Sequence, residues 1–312
     1  MNYDIRVPHG VMFHHFHGGT HPTGQGSISQ ADFEKMLLFI GIDNIVGAAD
    51  WFEKYPLRQL ENKVCITFDD SLKCQYDLAK PVLDKYNIKA FFFVYTSVLT
   101  GAVEYLEVFR YFRSVAFKNF DDFFGAFIER LQKSEFSEAV NLALTHFNPD
   151  AYLEKFSFYT KNDKIFRYLR DHVLKVKNYN QIMLDLIQAH GYSIDDIKKN
   201  LWMSANEVKQ LKDEGHFIGL HSDTHPTTLG LLEKEMQKQE YTQNKSSLEE
   251  IIGSSILTMS HPCNSYDTNT LDILKKLKIQ MGFRANMESG FDSVFEIPRE
   301  DHINVYKKMR GE

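Results

Sequence analysis

The sequence predicts an α/β protein built on a parallel sheet, open or closed into a barrel, and interrupted by one long helical insertion. Three observations carry this. Short apolar runs of strand length alternate with amphipathic helical segments at both ends of the chain, and such alternation implies parallel strands joined by crossover helices. From about residue 101 to 203 the alternation stops and helical patterns take over. Two of the runs end on chemistry-bearing pairs, Asp69–Asp70 and His221 with His225, where α/β sheets place their sites.

The strand-like runs are GVMFHHF (10–16), VCITF (64–68), AFFFVY (90–95), HFIGLHS (216–222), SILTMS (255–260), QMGFRA (280–285) and VFEIP (294–298). Between them, SQADFEKMLLFIG (29–41) begins on Ser29, keeps apolar residues near the helical period and stops at Gly41. QYDLAKPVLDKYNI (75–88) reads the same way. ANEVKQLKDEGH (205–216) is opened by the capping pattern Ser204-x-x-Glu207. EKEMQKQEYTQNKSSLEEIIG (233–253) reads as a long exposed helix, and DTNTLDILKKLKI (267–279) as a shorter one capped by Asp267 or Thr268. The expected division is therefore 1–100 and 204–312 for the sheet-bearing part, with 101–203 inserted.

In the insertion, EYLEVFRYFRSVAF, DDFFGAFIERLQ and EAVNLALTHF are crowded with Phe and Tyr. The rings read first as the insertion's own small core. They could instead line a sugar- or lipid-facing cleft, with the basic residues of KNDKIFRYLRDHVLKVK (161–177) meeting a phosphate. A charge run of this kind is otherwise a solvated helix face. A subunit interface, making a homo-oligomer, is the third use.

The chain has 312 residues with 36 Lys+Arg against 42 Asp+Glu, a net charge of −6. That argues against nucleic-acid binding dominated by phosphate contacts. The start, MNYDIRVPHGVMFHHF, lacks a basic-then-apolar leader. No window reaches the roughly 18 uncharged apolar residues of a spanning helix. Cys65, Cys74 and Cys263 show no C-x-x-C spacing. The expectation is a cytoplasmic protein with no transmembrane segment.

Two histidines four apart converge on one ion when the turn between them is helical or tightly bent. With an aspartate they form a metal triad with open positions, suited to Zn²⁺ or another divalent transition ion. The second acid then has a use, because a carboxylate beside a metal-acidified water can take its proton during attack on a carbonyl. The residues leave open which aspartate does which, and a solvated turn bearing two acids is the plain alternative.

TFDDS (67–71), HSDTHP (221–226) and MSHPCNSY (259–266) resemble, in order, three motifs of the polysaccharide deacetylase family, carbohydrate esterase family four. VMFHHF…GSISQADFEKMLLFIG and GFRANM…FEIPRED resemble its first and last strands. The likeness covers roughly 1–100 and 204–305 and leaves the insertion aside. It implies a distorted (β/α)7 barrel, with the insertion between the third strand and the His-x-x-x-His strand. It also implies one divalent metal, usually zinc, with cobalt, nickel, iron or manganese as alternatives. The implied reaction is hydrolysis of an N-acetyl or other small acyl group from an amino sugar, and the expected cytoplasmic place favours a sugar that is free, nucleotide-linked or lipid-linked.

Carried over by position, Asp69 becomes the general base, Asp70, His221 and His225 the metal ligands, and Pro262 and Cys263 the turn whose backbone stabilises the oxyanion. Tyr266 closes the same motif as a substrate-side residue. Ser71 stands where the family usually has glycine, and Ser260 and Cys263 where it often has arginine and an aromatic. The arginine that orients the base is then expected from Arg299 or Arg284. His14 and His302 are the candidates for protonating the leaving amine. The altered third motif also leaves open a barrel without turnover that only binds or scaffolds carbohydrate.

Overall fold

The computed structural model describes residues 3–154, 160–290 and 293–312. The chain divides into two compact units, Met1–Glu104 with Asn200–Glu312, and Tyr105–Lys199. The main sheet of the first unit has seven strands: β1 (His9–Phe13), β2 (Val64–Phe68), β3 (Phe91–Val94), β4 (Phe217–Leu220), β5 (Thr258–Ser260), β6 (Met281–Phe283) and β7 (Arg299–Asp301). They lie side by side in the order β6-β5-β4-β3-β2-β1-β7, every pair parallel. A separate short pair joins Phe16–His17 to Ile28–Ser29.

The gap between β6 and β7 is narrowed by the segment before β7. Phe283 bridges Ile297, Gly282 N–H donates to the Val294 carbonyl at 2.8 Å, and Arg284 N–H donates to the Ile297 carbonyl at 2.9 Å. The sheet is thus a nearly closed, distorted (β/α)7 barrel. Strands covered on both faces need apolar residues at every position, and every residue of β1, β2 and β3 is buried. Cys65, Phe91, Phe93, Met281, Phe283 and Ile297 cluster together with Trp51 and Leu60. Phe68 and Phe92 point the other way and stack at 4.7 Å, and Phe68 meets Phe33 of the helix Gln30–Ile40.

Capping fixes the helices where the sequence marks them. The Ser29 hydroxyl accepts from Asp32 N–H, and Gly41 at φ 90 ends that helix. Both halves of a capping box form at Ser204/Glu207 and again at Asp267/Thr270.

Several elements differ from the expectation. VFEIP is not a strand: only Ile297 bridges, and the ladder begins at Arg299. Pro298 has no N–H to give a ladder, but its carbonyl accepts from Gly10 N–H. The helix expected over 75–88 is a π-turn, Gln75–Ala79, followed by an α-helix, Lys80–Lys85. Pro81 cannot donate to the preceding turn, and the wider turn absorbs the lost bond. The helix Lys234–Ile252 is not exposed throughout, since Gln237, Tyr241, Asn244, Leu248 and Ile252 bury one face. Helices Ala48–Lys54 and His302–Arg310 were not anticipated.

The second unit contains helices Tyr105–Ala116, Phe120–Gln132, Ser137–Thr145, Lys161–Tyr168, Lys175–Ala189 and Ile194–Lys198, with a π-turn at Leu169–Leu174. No strand occurs among its described residues, and 155–159 lie outside them. Its rings make a core of their own. Phe123 and Phe127 meet Phe166 edge-on at 5.3 and 5.1 Å, and Phe109 meets Tyr179 at 5.5 Å.

One buried histidine of the barrel gives a pH dependence. His216 is 1% exposed, and its Nδ1 accepts from Ala90 N–H at 3.1 Å. Burial first, then Lys89, lowers its pKa to about 4. The unfolded chain therefore takes up this proton first as pH falls below about 6.5, so stability is lost from there down to about pH 4. The slope is about 1.4 kcal/mol per pH unit at most. Denaturant melts at pH 7 and pH 5 should show the loss. It should shrink in His216→Gln, whose side-chain carbonyl can still accept from Ala90.

Candidate active site

β2 ends on the paired acids because its last apolar residue, Phe68, is followed by a turn that lifts the backbone out of the ladder. Asp70 and Ser71 adopt φ 76 and 57, the left-handed region that glycine usually fills. Ser71 therefore takes the conformation its missing glycine would have taken. The turn is tied down by Met203 N–H to the Ser71 carbonyl and Lys73 N–H to the Leu201 carbonyl, both 2.8 Å. Gln75, fully buried, donates from Nε2 to the carbonyls of His14 at 2.9 Å and Asp69 at 2.6 Å, joining the ends of β1 and β2.

The two histidines converge through a tight bend, not a helix, with Ser222 and His225 at φ 62 and 55. The Glu240 carboxylate clamps this bend, accepting from Asp223 N–H at 2.9 Å and Thr224 N–H at 2.8 Å. Asn244, four residues further along the same helix, accepts from His221 N–H at 3.0 Å and donates to the Val94 carbonyl at 2.9 Å. Glu240, Asn244 and Gln75 were missed in the sequence. For Glu240 and Asn244 the signal was two polar residues at i, i+4 spacing on one helix.

Asp70 Oδ1 lies 3.3 Å from His221 Nε2 and 3.3 Å from His225 Nε2. His221 Nδ1 donates to the Ser260 carbonyl at 3.0 Å, which leaves the Nε2 lone pair facing Asp70. Asp70 Oδ1 is buried without a hydrogen-bond partner. A carboxylate oxygen and two ring nitrogens within 4.8 Å of one another, on a buried orphaned acceptor, suit a divalent cation. The residues present therefore fit the metal that the sequence motifs imply.

Asp69 has different partners. Arg299 Nη1 donates to its Oδ1 and Nη2 to its Oδ2, both at 2.7 Å. Arg299 also donates to Ser260 Oγ at 2.7 Å and the Arg284 carbonyl at 2.6 Å, and Ser260 Oγ donates to Asp69 Oδ2 at 3.2 Å. Burial alone would raise the Asp69 pKa, but Arg299 first and then His221 outweigh it and hold the carboxyl below its usual value. Asp70 is held well below its usual value, burial being outweighed by His225 and His221.

The arginine expected at the base is thus Arg299. Arg284 points elsewhere, to the Glu296 carbonyl, Asn286 and the Glu288 carbonyl. Arg299 pairs in register with Gly10, which itself pairs with Cys65. Its side chain must therefore climb past Thr67, touched at 3.3 Å, to reach Asp69. A Cβ on Gly10 would stand 3.0 Å from Arg299 Cγ, so this glycine leaves the path open.

His14 Nε2 lies 3.9 Å from Asp69 Oδ2 and 4.0 Å from Asp70 Oδ2, with its side chain 27% exposed. His302 is placed differently. It is the first residue of helix His302–Arg310, stacks on Phe13, and donates from Nε2 to the Gly26 carbonyl at 2.9 Å. Pro262 and Cys263 lie in the turn Pro262–Asn264, with Cys263 at φ 50. Cys263 is exposed at the surface, yet partial desolvation by neighbouring protein, then the Asp70 and Asp69 charges, push its thiol up to about 12. Tyr266 turns its hydroxyl to Glu296 at 2.9 Å and stacks on His261 at 4.0 Å.

A family model described as polysaccharide deacetylase matches residues 58–113 and 162–282, more than half of the chain. No curated protein matches significantly. Among solved structures, the chain is similar to the Streptococcus pyogenes deacetylase PplD in complex with acetate. That match is 16% identical, covers 94% of this chain and 90% of that one, and has a TM-score of 0.54. IcaB from Ammonifex degensii is 15% identical over 94% and 90% of the two chains, with a TM-score of 0.55. A de-N-acetylase from Aggregatibacter actinomycetemcomitans is 13% identical over 94% and 93%, with a TM-score of 0.54. At these identities the likeness is one of fold. Among the described residues no helix is long and apolar enough to cross a membrane.

Proposed function

The chain belongs to the polysaccharide deacetylase family, and from that premise we propose that it is a metal-dependent hydrolase of acylated amino sugars. The group removed is N-acetyl or another small acyl, from a sugar that is free, nucleotide-linked or lipid-linked. One observation carries the reading. The adjacent acids have separate partners, Asp69 a bidentate arginine and Asp70 two imidazole nitrogens. Such a division suits one carboxylate to a proton and the other to an ion.

Asp70, His221 and His225 would hold the divalent ion, zinc or another, and when bound it would supply Lewis acidity at the acyl carbonyl. The chain's own residues do the rest. Asp69, kept ionised by Arg299 and fixed further by Ser260, accepts the proton of the attacking water. The backbone of the turn at Cys263 faces the developing negative charge. His14, near both carboxylates and open to solvent, returns a proton to the leaving amine. His302, bound to Gly26, holds the end of β1.

The test is metal content and acetate release together. The wild-type protein should carry about one divalent ion per chain and release acetate from N-acetylglucosamine oligomers. The Asp70→Ala, His221→Ala variant should do neither. Full metal occupancy in that variant sinks the ligand assignment. Equal rates on simple N-acetyl amides sink the substrate class. A loaded protein that cleaves no acylated sugar indicates a binding or scaffolding barrel instead.

A further inference from the structure

We propose that the helical unit Tyr105–Lys199 carries an anion site in which Arg113, Arg167, Arg170 and the Tyr179 hydroxyl take a phosphate or diphosphate group, with Arg110 at its rim. The proposal is independent of turnover at the barrel site. Arg110 and Arg113 stand one turn apart on helix Tyr105–Ala116. Arg167 and Arg170 stand one turn apart on the continuous stretch from Lys161 to Leu174. Two of these guanidiniums share one ring: Arg113 lies 5.7 Å and Arg170 5.8 Å from the centre of Phe166, and Arg113 also lies 5.6 Å from Phe123. Tyr179, from helix Lys175–Ala189, sits within the field of Arg113, Arg170 and Arg167.

Two carboxylates stand among these arginines. Arg170 takes Asp171 through two bonds of 2.6 and 2.9 Å, and Glu107 lies 3.8 Å from Arg110. Among the described residues Arg113 has no carboxylate partner, and its Nε is buried without a hydrogen-bond partner. Burial first, then the like charges of Arg110, Arg170 and Arg167, lower its pKa. A half-buried cation with an orphaned donor among like charges is costly unless an anion offsets it. Aromatic faces compensate only in part. This gathering occurs in a chain whose net charge is −6, so it does not reflect a generally basic surface.

The donor set identifies the class of ligand. Guanidinium groups offer paired N–H donors that match tetrahedral oxyanions, and a phenol adds one more. With Arg170 already holding Asp171, the remaining two guanidinium charges and the phenol still exceed what a singly charged carboxylate offsets. A phosphoryl dianion accepts from all of them. The phosphoryl group could belong to a soluble diphosphate or to a lipid headgroup.

The experiment uses the full chain in a His221→Ala background, so that the barrel site does not account for binding. Inorganic pyrophosphate is titrated calorimetrically at fixed ionic strength, and vesicles of phosphatidate in phosphatidylcholine are compared with phosphatidylcholine alone. One pyrophosphate should bind per chain, and the affinity should drop at least about tenfold in Arg113→Met and in Arg167→Gln. Arg113→Met should also melt no lower than its parent without anion, because it removes an uncompensated cation. Retention on phosphatidate vesicles alone, lost in the same variants, assigns the anion to a lipid headgroup. No binding to either probe, or binding of equal strength in both variants, overturns the proposal.

Discussion

Replacing Asp69 with asparagine should lower kcat by about 10²- to 10⁴-fold, the range for loss of a general base, while the metal stays bound. The substitution conserves shape and removes only the capacity to take a proton. Arg299 loses a charged partner, but its bonds to Ser260 Oγ and the Arg284 carbonyl remain and keep the guanidinium in place. KM should move little, because the carboxylate acts in the transition state and not in ground-state binding. Metal analysis and steady-state kinetics on one preparation decide the matter. Loss of metal would exchange the roles of the two acids, and a kcat within twofold of wild type would remove Asp69 from the chemistry.

The reach of the sequence can be judged at particular residues. Alternation placed six of the seven barrel strands, because buried parallel strands leave continuous apolar runs and few alternatives. The last strand was displaced by several residues, since VFEIP is as apolar as a strand but ends in a proline that gives no ladder bond. Asp69, Asp70, His221 and His225 were visible as residues at strand ends. Their sorting was not visible, because it depends on which side chains arrive from elsewhere. Arg299 is 230 positions from Asp69, and only closure of the sheet through β7, β1 and β2 brings them together. Gly10 reads in sequence as a small residue in an apolar run, and its use appears only when the arginine stem passes over it. Glu240 and Asn244 were hidden in a helix that looked solvated, because helical polarity does not say which polar face is buried.

Arg299→Leu should destabilise the fold by about 3–5 kcal/mol, the cost of leaving a buried charge without its partner. Arg299 is fully buried and Asp69 2% exposed, so little water can replace the lost guanidinium. Asp69 titration sets the sign of the pH dependence. In the wild type its carboxyl lies below its usual value, so the unfolded chain binds the proton first and this contribution is lost as pH falls. In the variant, with the largest opposing influence gone, burial is opposed by the neighbouring histidines and the Ser260 hydroxyl, and the carboxyl moves up. The native state then protonates before the unfolded chain, and the deficit narrows as pH falls toward about 4. Denaturant melts of both proteins at several pH values test this. Adding Asp69→Asn should restore part of the loss, because removing both charges costs less than stranding one. A double variant no more stable than Arg299→Leu would mean that the arginine supports the barrel by packing against Phe93, 5.6 Å away, and not by holding the carboxylate.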